Sequence, residues 1–321
     1  MKKKLSKNSV FLNPGDAIEI IAPASACSHD EFEKAIQWVR DQGYKPVYNK
    51  NILKPEIYLA QSDQERFDQL KHALVNSKAK VIWCLRGGYG CLRLVPNLMK
   101  LSQKMSEKKP KFFIGLSDIT ILHYFLNKKW NWSTIHGPIL ARTASENKRT
   151  QDYVELFGLL NGKNQSVIFS YLKPVNSVAK KSKKSAKSIK AKVYGGNLCT
   201  FVTLLGTKLQ PKLKNHFLFF EDAGERGYKV DRMLHQLQQA GIFNQCKGVF
   251  LGDFIDSAEK SGINYVPLAI EKFFKDSPFP VYSGIESDHS EKQRPLILNS
   301  KAILSYEETH SLTIFMKGIK A

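Results

Sequence analysis

At 321 residues and 42% hydrophobic, the chain has material for two compact domains with ordinary cores. Its 49 Lys and Arg against 29 Asp and Glu give a formal charge of +20, which favours contact with anionic polymers or surfaces. Most of the excess is singly scattered lysine with no aromatic-basic stripe, so no nucleic-acid partner is expected, and five cysteines without a CxxC pair fit neither a disulfide framework nor a zinc site.

The first residues imitate a secretory or lipoprotein signal, with Lys2, Lys3 and Lys4 ahead of Ala24-Ser25-Ala26-Cys27. Pro14, Asp16 and Glu19 interrupt the apolar region such a signal requires. No later segment approaches the ~20 apolar residues of a membrane span, so a cytoplasmic protein is expected.

Ala17–Ala22 reads as a short buried strand. Ser28 and Glu31 then offer a capping box to a helix whose apolar face is Phe32, Ala35, Ile36 and Val39, with Gly43 as its stop. A second capping box, Ser62 to Glu65, opens a helix bearing Phe67, Leu70 and Leu74, which feeds a strand at Val81–Leu85 and the turn Arg86-Gly87-Gly88. The strand Phe112–Ile114 runs through Gly115-Leu116-Ser117-Asp118 into a helix carrying Ile121, Leu122 and Phe125. This alternation predicts an α/β fold with a Rossmann-like parallel sheet, whose ligand sites lie beyond the carboxyl ends of the strands. Residues 1–165 form that N-terminal domain. Residues 166–192, with Lys180, Lys181, Lys183, Lys184 and Lys187 close together, read as an exposed linker. Residues 193–321 form a smaller C-terminal α/β domain, with strands at Phe217–Phe220 and Val249–Leu251 around a helix bearing Val230, Met233, Leu234 and Leu237, and β segments within Ile297–Met316.

Two strand ends carry candidate chemistry. A serine on a tight strand-to-helix turn exposes its hydroxyl and aims backbone N–H groups at a developing oxyanion, and Gly115-Leu116-Ser117-Asp118 has that form. Ile119 replaces the second glycine of G-x-S-x-G, so Ser117-Asp118 also reads as a simple helix cap. Arg86-Gly87-Gly88-Tyr89-Gly90 permits close backbone approach to a ligand, or is a plain glycine turn; it lacks both nucleotide-binding spacings. Among eight histidines, His72, His123 and His235 fall in helices, His29 in a cap, His216 and His310 ahead of strands, and His136 in Thr134-Ile135-His136-Gly137-Pro138. His289, in the polar run Glu286-Ser287-Asp288-His289-Ser290-Glu291, remains as a candidate base or a solvated loop residue. Glu221 and Asp222 end an apolar strand, where a carboxylate can orient an imidazole, cap the next element or pair with Arg226 or Arg232.

Taken in order, these segments resemble the LD-carboxypeptidases, or muramoyltetrapeptide carboxypeptidases, over nearly the whole chain. The matching stretches are Pro14-Gly15-Asp16, Ala22-Pro23-Ala24-Ser25, Arg86 to Leu94, Gly115 to Thr120, His136-Gly137-Pro138, Gly195-Gly196-Asn197-Leu198, Leu205-Gly206-Thr207, Glu221 to Glu225, Asp231 to Leu234 and His289. The resemblance implies a serine peptidase with Ser117 as nucleophile, Glu221 and His289 completing the triad, and the N–H groups of Gly88 and Asp118 as oxyanion donors. It also implies a homodimer with no cofactor or metal, releasing the terminal D-alanine of a murein tetrapeptide during cell-wall recycling. Arg86 and Arg232 are candidates for the substrate's terminal carboxylate. The chain departs from the pattern at Asp288, where a glycine usually precedes the histidine, at Gly224 to Tyr228, where a proline is often found, and in its lysine-rich linker. A carboxylate at 288 is expected to reshape the loop or raise the histidine's pKa. The related microcin C resistance proteins offer a rival, self-immunity hydrolysis of a peptidyl- or aminoacyl-nucleotide, for which Trp83 or Trp132 would serve as a base-stacking shelf. A non-catalytic module binding cell-wall peptides or anionic polymers is the rival from another class.

Overall fold

The computed structural model describes residues 11–101, 109–144, 149–181, 188–306 and 309–316. Lys2, Lys3, Lys4, Lys183, Lys184 and Lys187 lie outside the described residues.

The first sheet is built from β1 (Ala17–Ile21), β2 (Lys45–Val47), β3 (Val81–Cys84), β4 (Phe112–Gly115) and β5 (Thr134–His136), all parallel in the order β5-β4-β3-β1-β2. Helices α1 (His29–Asp41), α2 (Asp63–Lys71), α3 (Cys91–Leu98), α4 (Thr120–Lys129) and α5 (Thr150–Leu160) accompany it. Both predicted capping boxes form: Ser28 and Ser62 accept from the N–H of Glu31 and Glu65, and each glutamate returns a bond to its cap's backbone.

The second sheet uses β6 (Ser166–Phe169), β7 (Lys173–Pro174), β8 (Ile189–Asn197), β9 (His216–Ala223), β10 (Cys246–Ile255) and β11 (Val281–Ser283). With it come α6 (Ser177–Lys181), α7 (Leu198–Val202), α8 (Gly227–Gln239) and α9 (Val266–Phe274). The chain then makes β12 (Leu296–Leu298), β13 (Lys301–Ser305) and β14 (Ser311–Phe315). Strands β8, β9, β10 and β11 are parallel neighbours, flanked by antiparallel β13, β14 and β6 on one side and β7 on the other. Among the described residues no helix is long and apolar enough to cross a membrane.

Two boundaries differ from the sequence reading. The stretch 166–192 is not a bare connection, because β6 and β7 edge the second sheet. Val167 and Phe169 face inward while Ile168 stays exposed, an alternation too short to register against the surrounding lysines. Asn176, read as linker polarity, is buried: its amide donates to the carbonyls of Phe274 and Phe279, and its oxygen accepts from the N–H of Ala179 and Val281. The second difference is β12, which leaves the C-terminal part and pairs antiparallel with β5, extending the first sheet to six strands.

Helix α4 joins the two halves. Every residue from Thr120 to Asn127 is buried, polar Thr120, His123 and Asn127 included, because the helix packs against β8 and α7 of the second sheet as well as β5 of its own. The contact is close because Gly196 has no side chain: a Cβ there would lie 2.4 Å from the Thr120 hydroxyl, and its φ of +135° suits glycine. The N-terminus of α4 is thereby set against the end of β8.

Candidate active site

The carboxyl end of β4 delivers Ser117. It has φ +68°, a left-handed conformation costing a non-glycine residue roughly 1–2 kcal/mol, and it opens a single 3₁₀ turn, Ser117–Ile119, before α4. The sharp turn leaves Ser117 half-buried between buried Leu116 and Asp118. Amide groups in a first helical turn lack intrahelical acceptors, so the N–H of Asp118 is suitably disposed as a donor. The Asp118 side chain does other work. Its Oδ2 accepts from the N–H of Cys91 at 2.7 Å, anchoring α3, and burial raises its pKa.

The glycine turn after β3 lies against this elbow. A Cβ on Gly87 would lie 2.7 Å from Ser117 Cβ and 3.2 Å from its Oγ, so any larger residue would crowd the hydroxyl. Ser25 braces the turn: its N–H donates to Gly87 O at 3.1 Å and its Oγ accepts from Tyr89 N at 3.1 Å.

Arg66, which the sequence reading passed over, braces it from below. Its guanidinium is fully buried, donates to the carbonyls of Gln61, Pro23 and Gly90, and pairs with Asp63. Arg66→Leu is expected to lower stability by about 3 kcal/mol, because three buried carbonyls lose a donor at about 1 kcal/mol or more each. A fall in the denaturant midpoint checks this; an unchanged midpoint would mean the carbonyls find other donors.

At the end of β9 the structure separates the two acidic neighbours. Glu221 is fully buried, and its Oε2 lies 2.5 Å from His289 Nδ1. Asp222 faces the start of α7, accepting from Cys199 N at 2.8 Å and Asn197 Nδ2 at 3.0 Å, and burial pushes its pKa up to about 6. Burial is the largest single influence on His289 and opposes its charge, but the adjacent Glu221 carboxylate, with smaller help from Asp222 and Asp288, holds the imidazole pKa above its usual value. With Nδ1 committed to Glu221, Nε2 is the nitrogen left to exchange a proton.

Burial holds His123 and His216 at about 4 and His136 well below its usual range, keeping all three neutral in the cores. His29 and His235 lie near carboxylates on exposed helix faces.

Asp288 does not point its carboxylate at the histidine. It is buried, with Oδ2 accepting from Asp253 N at 3.2 Å and Oδ1 from Ser290 N at 2.8 Å, which pins the His289 loop to the end of β10. The expected reshaping is therefore a tether, and Asp288 is a minor contributor to the raised histidine pKa.

Three links draw the serine and histidine elements to one seam. Thr120, three residues beyond Ser117, accepts the N–H of Asn197 at 3.0 Å, and Asn197 is the register partner of Glu221. Ser287, two residues before His289, donates its hydroxyl to His136 O at 3.5 Å, and His136 pairs with Gly115. Arg142 donates to Ser290 O at 3.2 Å from the short turn after β5. Of the carboxylate-binding candidates, Arg86 lines a cavity beside this seam, whereas Arg232 lies on an exposed face of α8 over the Tyr228 ring. Trp83 and Trp132 are buried at 0% and 1% exposure, so neither is a shelf for a base.

Comparison with known proteins places the chain in a family. Residues 18–137 match the LD-carboxypeptidase N-terminal domain and residues 190–304 the LD-carboxypeptidase C-terminal domain. A Rickettsia conorii protein provisionally named a carboxypeptidase is 34% identical over 91% of this chain and 89% of its own. The murein tetrapeptide carboxypeptidase of Pseudomonas aeruginosa is 25% identical over 89% of this chain and 92% of its own. The crystal structure of muramoyltetrapeptide carboxypeptidase from Oxalobacter formigenes superposes with TM-score 0.79 at 24% identity, covering 93% of this chain and 98% of that one. The microcin C7 self-immunity protein in complex with glutamyl sulfamoyl guanosine superposes with TM-score 0.81 at 21% identity, covering 97% and 98%. With both domain types matched in order and a relative of such identity aligned along nine-tenths of its length, the chain belongs to the LD-carboxypeptidase family of peptidases.

Proposed function

We propose that the protein is a serine-type LD-carboxypeptidase that removes the terminal D-alanine from murein tetrapeptide, acting as a cytoplasmic homodimer in peptidoglycan recycling. The observation that carries this reading is the buried Glu221–His289 pair at the seam where Ser117 stands on a left-handed elbow. Ser117 Oγ attacks the scissile carbonyl while His289 Nε2 takes its proton, and Glu221 holds the ring and stabilises its charge. The N–H groups of Gly88 and Asp118 receive the oxyanion. The imidazolium then protonates the departing D-alanine, and water, deprotonated in turn by His289, releases the acyl group from Ser117.

The aminoacyl-nucleotide reading needs an exposed aromatic platform, and the two tryptophans considered for it are core residues. The test is a mass-spectrometric assay of the full chain with defined muropeptides beside an aminoacyl-sulfamoyl nucleotide. Loss of one alanine from the tetrapeptide, with the nucleotide intact, is the expected result. Cleavage of the nucleotide alone would transfer the reading to the self-immunity class.

A further inference from the structure

We infer that Arg86 and Arg142 together form the pocket that holds the free carboxylate of the departing D-amino acid. This rests on the carboxypeptidase reading above and adds to it the group that makes the enzyme act at a chain end.

A cavity of about 400 Å³ is lined by Glu31, Arg86, Ile139, Ala141, Arg142 and Ala144. The charged residues of this lining are two arginines and one glutamate, and the glutamate is engaged: Glu31 Oε2 accepts from the Ser28 N–H at 2.8 Å and from its hydroxyl at 2.9 Å, as part of the α1 cap. The lining keeps a net positive charge suited to an anion, and paired guanidinium forks match the planar geometry of a carboxylate.

Its position is as informative as its charge. Arg86 immediately precedes Gly87, whose missing side chain would touch Ser117. Arg142 donates to the carbonyl of Ser290, the residue after His289. The two lining arginines are thus tied, one by adjacency in sequence and one by a hydrogen bond, to the nucleophile's wall and the histidine's loop. In a C-terminal amino acid the carboxylate carbon lies only about 3.7 Å from the scissile carbonyl carbon along the backbone, so its receptor must sit within one residue of the serine. Arg86, next in sequence to the glycine packed on Ser117, is the lining residue that bears on this requirement. A longer peptide continuing past the scissile bond would put an uncharged amide against two arginines, which disfavours internal cleavage. The remaining walls, Ile139, Ala141 and Ala144, are apolar and mostly small, which suits the methyl group of alanine.

The experiment compares two tetrapeptide substrates, one ending in free D-alanine and one in D-alaninamide, on the wild-type chain, Arg142→Gln and Arg86→Met. The wild type is expected to prefer the free acid. Each variant is expected to lose on the order of 10-fold to 100-fold of the wild type's preference for the acid over the amide, the worth of a charge-assisted bond, read as the ratio of the two kcat/KM values. Arg86 is exposed and its replacement leaves the Ser290 contact intact, so its variant separates substrate binding from any disturbance of the His289 loop. If the wild type releases D-alanine and both variants keep its full preference for the acid, the pocket assignment fails alone. If the wild type releases no D-alanine at all, the carboxypeptidase reading fails and takes this one with it.

Discussion

Replacing Ser117 by alanine is expected to lower kcat on murein tetrapeptide by roughly 10⁴-fold to 10⁶-fold, with the thermal unfolding profile little changed. The loss is large because the variant lacks the nucleophilic hydroxyl that the glycine turn lies against. The double variant Ser117→Ala, His289→Ala should be no slower than the single one, since a base has nothing to do without its nucleophile. Rates that fell in proportion to both changes would mean that the two residues act in separate steps.

The second large effect is expected from Glu221→Gln. The amide keeps the size of the side chain but removes the charge that orients and stabilises the imidazolium, and a fall on the order of 10⁴-fold in kcat follows. The pH profile supplies an independent sign. His289 works as a base only when neutral, so the acidic limb of kcat/KM marks its pKa. In the wild type, burial lowers that pKa, and Glu221, foremost among the nearby carboxylates, brings it back above its usual value. Removing the carboxylate leaves burial dominant, and the limb should move to lower pH. A limb that stayed in place or moved upward would show that Glu221 does not set the charge of His289.

Much of the first domain was legible in the chain because its signals are local. Ser28 with Glu31 and Ser62 with Glu65 announce helix starts within four residues, and apolar runs ending in Arg86-Gly87-Gly88 and Gly115-Leu116-Ser117 mark strand ends in a parallel sheet, where sites collect. Elimination left His289 open between a base and a solvated loop residue, and its role as base is implied only by the family resemblance; in the structure the buried imidazoles of His123 and His136 are held neutral while His289 faces a buried carboxylate.

What stayed hidden depends on contacts between distant segments. Nothing in Arg66 or Arg142 differs from a surface arginine until the fold places one beneath the glycine turn and the other against Ser290. Strand β12 has three residues, too few for a period-2 pattern to reveal which sheet it joins. The polar stretch of β6, β7 and α6 reads as a linker because its buried residues, Val167, Phe169 and Asn176, alternate with solvated ones. Asp288 was read by its neighbour in sequence, His289, whereas its hydrogen bonds go to Asp253 and Ser290.

The central claim is that one hydroxyl is activated by one imidazole across the seam between the sheets. A serine-directed phosphonate, followed by intact-mass measurement and peptide mapping, tests it most directly. One adduct per chain on Ser117 is predicted, formed faster as pH rises through the His289 titration, abolished by Ser117→Ala and slowed by His289→Ala. An adduct at another residue, or undiminished tetrapeptide hydrolysis by a chain lacking the Ser117 hydroxyl, would contradict the account.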